Sequence, residues 1–218
     1  MMSMIIEKLN NIRNPNRLPR TSAIRNTALI LVAGLVLGIF SKWLDNLALD
    51  SVIWWHRLME ALDLGNFFSD IAIWLLAALM IAVFSKSALR AALNVFVFFA
   101  GMCAAYHFCT IVFSGFNPLS YMMVWYCITA LSPLPAILCW YAKGSGAAAL
   151  ILDIGIIAVF ALSCFSIGLF YISSKGLLYL LVFAGAVFVL YRNPKQAVVS
   201  VLIGILLAFL LSPIWPYH

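Results

Sequence analysis

The stretch NPLSYMMVWYCITALSPLPAILCWYAKGSG, residues 117–146, decides how this chain is read. From Leu119 to Ala142 it is apolar over a length that crosses a bilayer core, which takes about 20 residues. It is broken by Ser132-Pro133-Leu134-Pro135 and closed by Trp140-Tyr141 and the turn Lys143-Gly144-Ser145-Gly146. A proline inside a helix lacks an N–H donor and pushes away the carbonyl four residues back. Here those carbonyls belong to Thr129 and Leu131, and in hydrocarbon each needs another partner. The stretch therefore reads as a distorted membrane helix, kinked at Ser132, Pro133 and Pro135.

The composition agrees. Hydrophobic residues make up 66% of the 218 and charged residues 9%, with a mean hydropathy of +1.09. A soluble domain is roughly 45–50% apolar and about 25% charged, so a water-soluble fold is excluded. The net charge of +6 raises nucleic-acid binding. The basic residues instead stand at the ends of apolar runs, where membrane topology accounts for them and no nucleic-acid partner is implied. The five cysteines (Cys103, Cys109, Cys127, Cys139 and Cys164) all lie inside apolar runs. They are odd in number and form no C-x-x-C pair, so neither a disulfide framework nor a metal site is indicated.

Outward from the quoted stretch, the chain predicts an all-α transmembrane bundle of about seven spans. These are 27–44, 67–85, 91–113, 119–142, 147–171, 176–191 and 197–213. A basic segment, 1–26, precedes the bundle of 27–213, and a short outer tail, 214–218, follows it. A secretory signal has an apolar core of about 7–15 residues and a small-residue cleavage site. The 27–44 run is longer and ends in Trp43-Leu44-Asp45, so it is expected to remain as the first span. With the N-terminus inside, ten basic residues fall in inner segments: Lys8, Arg13, Arg17, Arg20, Arg25, Lys86, Arg90, Lys143, Arg192 and Lys195. Only Lys42, Arg57 and Lys175 fall outside. The positive-inside rule then gives N-in and C-out. In the long outer connection, 46–65, Val52, Ile53, Trp54, Trp55, Leu58, Met59 and Leu62 recur at helical spacing. That pattern fits an amphipathic helix lying at the outer surface, or a lid over a cavity.

Few residues in this chain carry chemistry. Asp153 is the acidic residue well inside a span, where charge is costly and an ionisable group suggests function. It lies roughly 9 Å into its span, and Pro133 about 13 Å into its own, at similar depth. A protonated Asp153 would donate to a carbonyl freed by Pro133 or Pro135; an ionised one would pair with Arg90 or Arg192. Structural hydrogen bonding and a functional carboxylate both fit. His107 lies in the outer third of its span. At its level stand Tyr106, Trp43, Asp70, Trp74, Tyr121 and Trp125, which together form either a ligand pocket or an interfacial aromatic belt. Gly34 and Gly38, with Ser41, form a small-residue face that lets helices approach closely, inside the bundle or against another protein. H-E-x-x-H, G-x-S-x-G, P-loop and dinucleotide glycine motifs are all missing, so no catalytic residue and no cofactor is assigned.

Three segments, residues 66–74 leading to FSKSALRAALNVFVFFAGM (84–102), then Ser132-Pro133-Leu134, then Trp140-Tyr141-Ala142-Lys143-Gly144, resemble an uncharacterised family of polytopic membrane proteins of Firmicutes. The resemblance covers about the middle half of the chain. It implies a bacterial cytoplasmic membrane and brings no activity. In architecture the chain is also similar to the substrate-binding membrane subunits of energy-coupling-factor vitamin transporters. Those lack an ATP site, bind a ligand from outside and dock a partner through small residues on an early helix. That likeness implies a docking part for Gly34 and Gly38, although a seventh span departs from the pattern. The expected function is a small non-enzymatic transport or ligand-binding membrane component with an outward aromatic pocket. The alternatives are an accessory subunit bound to another membrane protein, and a membrane-embedded enzyme acting on lipid through Asp153 and His107.

Overall fold

A computed structural model describes residues 10–16, 18–48, 52–168 and 171–215. Among the described residues the chain is all-α apart from one small hairpin. Its helices are α1 (Arg20–Asp45), α2 (Trp54–Ala61), α3 (Leu64–Ser69), α4 (Ile71–Phe84), α5 (Ala88–Ser114), α6 (Leu119–Leu131), α7 (Pro133–Ala142) and α8 (Gly146–Cys164). After the strands β1 (Phe165–Ile167) and β2 (Ile172–Ser174) come α9 (Leu177–Leu190) and α10 (Pro194–Leu211). Among the described residues four helices are long and apolar enough to cross a membrane: α1, α5, α8 and α10 with its 3-10 extension to Ile214. The pair α6 and α7, bent by 48° at the proline break, makes a fifth if counted as one span. At 14 residues each, α4 and α9 reach only about 21 Å, short of a bilayer core of roughly 30 Å.

Three span boundaries differ from expectation, each for a local reason. The first helix begins at Arg20 rather than Thr27, because Arg90 and Asn94 of α5 meet the Thr27 hydroxyl and let the helix start among polar residues. The 67–85 run is split at Asp70, whose backbone is extended and whose carboxylate caps α4 by accepting from Ile71 N at 2.5 Å. The 147–171 run stops at Cys164, where β1 pairs antiparallel with β2 and Gly168 N closes the turn onto Tyr171 O at 2.9 Å. Other ends follow the sequence closely. Ser87 and Asn193 cap α5 and α10, Pro194 opens α10, and Gly115 ends α5 at φ 70°.

Consecutive apolar segments run in alternate directions. At one end Asn16 N donates to Lys86 O at 2.8 Å and Ser145 N to Ile12 O at 2.8 Å, and Lys143 Nζ reaches Tyr191 O at 2.6 Å. At the other, Tyr106 donates to Asp45 at 2.6 Å and Lys175 pairs with Asp70 at 3.6 Å. The first end gathers Arg13, Arg20, Arg25, Lys86, Arg90, Lys143, Arg192 and Lys195, and is called the basic end below. Helix α4 is apolar on every side and joins the two main core clusters. Its Leu79 and Val83 pack with Phe160 and Ala186 of α8 and α9, while Trp74 and Ala82 pack with Phe98, Met102 and Trp140 of α5 and α7.

Candidate functional site

Four of the seven residues expected in the outer pocket converge. Trp74, Tyr106, Tyr121 and Trp125 surround a small cavity with Ser41 and Cys103. Trp74 is held by its indole N–H on Phe68 O at 2.9 Å, and Tyr106 by its hydroxyl on Asp45. The cavity holds only ≈ 30 Å³, room for about two waters and far below the roughly 300–1,000 Å³ of a small-molecule site. The other three residues turn elsewhere. His107 bonds Tyr126 through Nδ1 and Asn117 through Nε2, the latter at 2.8 Å. Asp70 is occupied by the α4 cap and Lys175. Trp43 is exposed and tilts onto Phe40 with centroids 5.7 Å apart.

The larger space lies at the proline break. Thr129 O, released by Pro133, accepts from the Ser132 hydroxyl at 2.8 Å, so this carbonyl is satisfied within its own turn. The two halves meet at a 48° bend. Beside it lies a chamber of ≈ 470 Å³ between α4, α5, α6–α7 and α8, walled by Phe99, Trp125, Ser132, Pro135, Ile156 and Phe160 among others. Its surface is almost wholly apolar, since the Ser132 hydroxyl is already engaged. Leu131, Leu138 and Ile151 line it and are exposed on the outer surface of the bundle, so the chamber opens sideways. Trp125 is common to this chamber and the small aromatic cavity, and separates them. A Cβ added at Gly155, on the α8 wall, meets no atom within 4 Å.

Asp153 is fully buried and belongs to neither space. Of the partners expected for it, Arg192 is the one it meets: Nη2 of Arg192 donates to Oδ2, and Gln196 Nε2 donates to the same oxygen at 2.7 Å. Arg90 instead donates to Ala23 O and Thr27. A bond from Asp153 to a carbonyl freed at the proline break is not formed, because Asp153 faces the turn between α9 and α10 rather than α7. Lys143, beside this cluster, caps the carboxyl end of α9 through Val189 O and Tyr191 O, each at 2.6 Å. Burial pushes its ammonium below its ordinary value and Asp153 opposes that shift, while Arg192 and Arg13 add to it. Asp153 at the basic end and His107 near Asn117 at the opposite end share no site.

Gly34 and Gly38 face α5. A Cβ on Gly34 would stand 3.2 Å from Met102 N, and one on Gly38 3.1 Å from the Ala105 Cβ. Gly101 returns the contact toward Leu31. The small-residue face is thus filled within the bundle and is not free to dock another protein. Sequence reading passed over Arg13, which donates to Trp140 O at 2.7 Å and Val83 O at 3.0 Å and stacks over the Trp140 ring at 4.5 Å. Its nearest signal was a basic residue just before a proline. Among the described residues no group of three His, Cys, Asp or Glu side chains stands ready to hold a metal. Comparison with protein-family models, curated proteins and solved structures finds no match.

Proposed function

We propose that this chain is a non-enzymatic, ligand-binding integral membrane component whose ligand is a hydrocarbon chain held in the chamber at the proline break. In this reading the seven apolar segments each traverse a bacterial cytoplasmic membrane, with α4 and α9 completed by the polar segments at their ends. The basic end faces the cytoplasm, as the positive-inside rule requires. The observation that carries the reading is the chamber itself: ≈ 470 Å³, nearly free of polar surface and open toward the side where lipid would lie. A polar ligand would lose its hydration there without gaining a partner. An apolar one fits the size range of small-molecule sites. The aromatic cavity beside Tyr106 is too small to be that site and reads better as the ceiling above it.

Gly155 supplies the test. Leucine at this position projects into open space, so Gly155→Leu should narrow the chamber and keep the fold. Quenching by a brominated alkyl chain, taken as the difference between wild type and Trp125→Phe, reports occupancy next to Trp125. We expect that difference to fall several-fold in Gly155→Leu with unchanged thermal stability. An undiminished difference would reject the chamber as the ligand site.

A further inference from the structure

A second cavity, of ≈ 300 Å³, lies where the start of α1 meets the end of α4 and the start of α5, and shares no lining residue with the chamber. Its walls change character with depth. At the basic end stand Asn26, Lys86 and Arg90; one turn deeper come Leu29 and Ile30 on α1 and Phe84 on α4. Lys86 is exposed. Arg90 is fixed in place by Ala23 O and Thr27, while its buried Nε–H has no hydrogen-bond partner among the described residues. Among the described residues no acidic side chain lines the cavity, and Asp153, the carboxylate described at this end, is taken by Arg192.

A cationic mouth above an apolar wall, at the level where a helix enters the bilayer, fits a molecule with an anionic head and a hydrocarbon tail. We propose that this groove binds one anionic phospholipid. The phosphate meets the exposed ammonium of Lys86 with the Arg90 guanidinium behind it, and an acyl chain lies along Leu29, Ile30 and Phe84. Guanidinium and ammonium groups both bond phosphate oxygens, and basic pockets between membrane helices suit such headgroups. A choline headgroup would place its own cation against Lys86. Inorganic phosphate shares the headgroup chemistry but leaves the apolar wall empty.

The test uses the full chain in detergent, presented separately with phosphatidylglycerol, phosphatidylcholine and inorganic phosphate. Retained lipid is read by native mass spectrometry and stabilisation by thermal unfolding. Phosphatidylglycerol should be retained and stabilising, phosphatidylcholine should not, and phosphate alone should do little. Lys86→Gln should lower phosphatidylglycerol affinity about fivefold. Lys195→Gln, at the same end but outside the groove, should leave it unchanged. Because Arg90 also ties α5 to α1, the outcome is judged on Lys86→Gln. Equal retention of both lipids, equal loss in Lys86→Gln and Lys195→Gln, or full stabilisation by phosphate alone would each overturn the proposal.

Discussion

Alanine at Gly34 or Gly38 should force α1 away from α5. The new methyl on Gly34 would lie 3.2 Å from Met102 N, and that on Gly38 3.1 Å from the Ala105 Cβ, with the α5 carbonyls of Phe98 and Met102 in the way as well. Heavy atoms are comfortable at about 3.5–4.0 Å, and the carbonyl oxygens of Phe98 and Met102 stand closest of all, so the seam must open by about 1 Å. A gap of that size removes about a quarter to a half of the attraction at each contact along the seam. The closest neighbours are backbone carbonyls, which cannot rotate aside. We expect a loss of about 1–3 kcal/mol for each single substitution. The double variant should lose less than the sum, because a seam opened once accommodates the second methyl. Gly155→Ala is the control: no atom lies within 4 Å of its Cβ, and alanine in a helix interior should gain about 0.5–1 kcal/mol. Thermal unfolding in mild detergent, read by tryptophan fluorescence, measures all four variants against wild type. If Gly34→Ala and Gly38→Ala both melt with wild type, the backbones of α1 and α5 are not in contact and the reasoning fails.

Three further outcomes can be measured. Asp153→Asn leaves the part-buried Arg192 without its carboxylate and should cost about 1.5–3 kcal/mol, whereas Asp153→Asn with Arg192→Met should recover most of it; equal melting of the single and double variants would count against the pair. Arg13→Gln removes two charge-assisted bonds from the carboxyl ends of α4 and α7, about 1.5–3 kcal/mol each, and should speed tryptic cleavage at Arg20; an unchanged rate would mean that Arg13 anchors nothing. In a cysteine-free background, an impermeant maleimide applied to intact cells should label Asn117→Cys and spare Ser87→Cys, and the reverse pattern would invert the proposed orientation.

Much of the candidate site could be read from particular residues. The proline break at Pro133 was visible because proline has one backbone consequence in any surroundings. The contact face of Gly34 and Gly38 was visible because two small residues one turn apart share a side of a helix. Arg192 was a foreseeable partner for Asp153, since a buried carboxylate needs a cation and few were within reach. His107 was misleading: its level in the membrane matched the aromatic cluster, but its ring is claimed by Tyr126 and Asn117 on the other side of the helix. Depth can be counted along a sequence; rotation about a packed helix cannot.

By itself, then, the sequence determined that the chain is a bundle of apolar helices, where its charged end lies, and where one helix must break. These depend on the solvent preference and backbone geometry of single residues, which travel with the residue. Only the tertiary structure decided that a chamber lies beside the break, that Trp125 divides it from the aromatic cavity, and that Arg13 closes the ends of α4 and α7. Apolar walls around a void have the same composition as apolar walls around a packed core. Between helices in lipid there is little hydrophobic force to set the arrangement, so close packing and paired polar groups fix it instead.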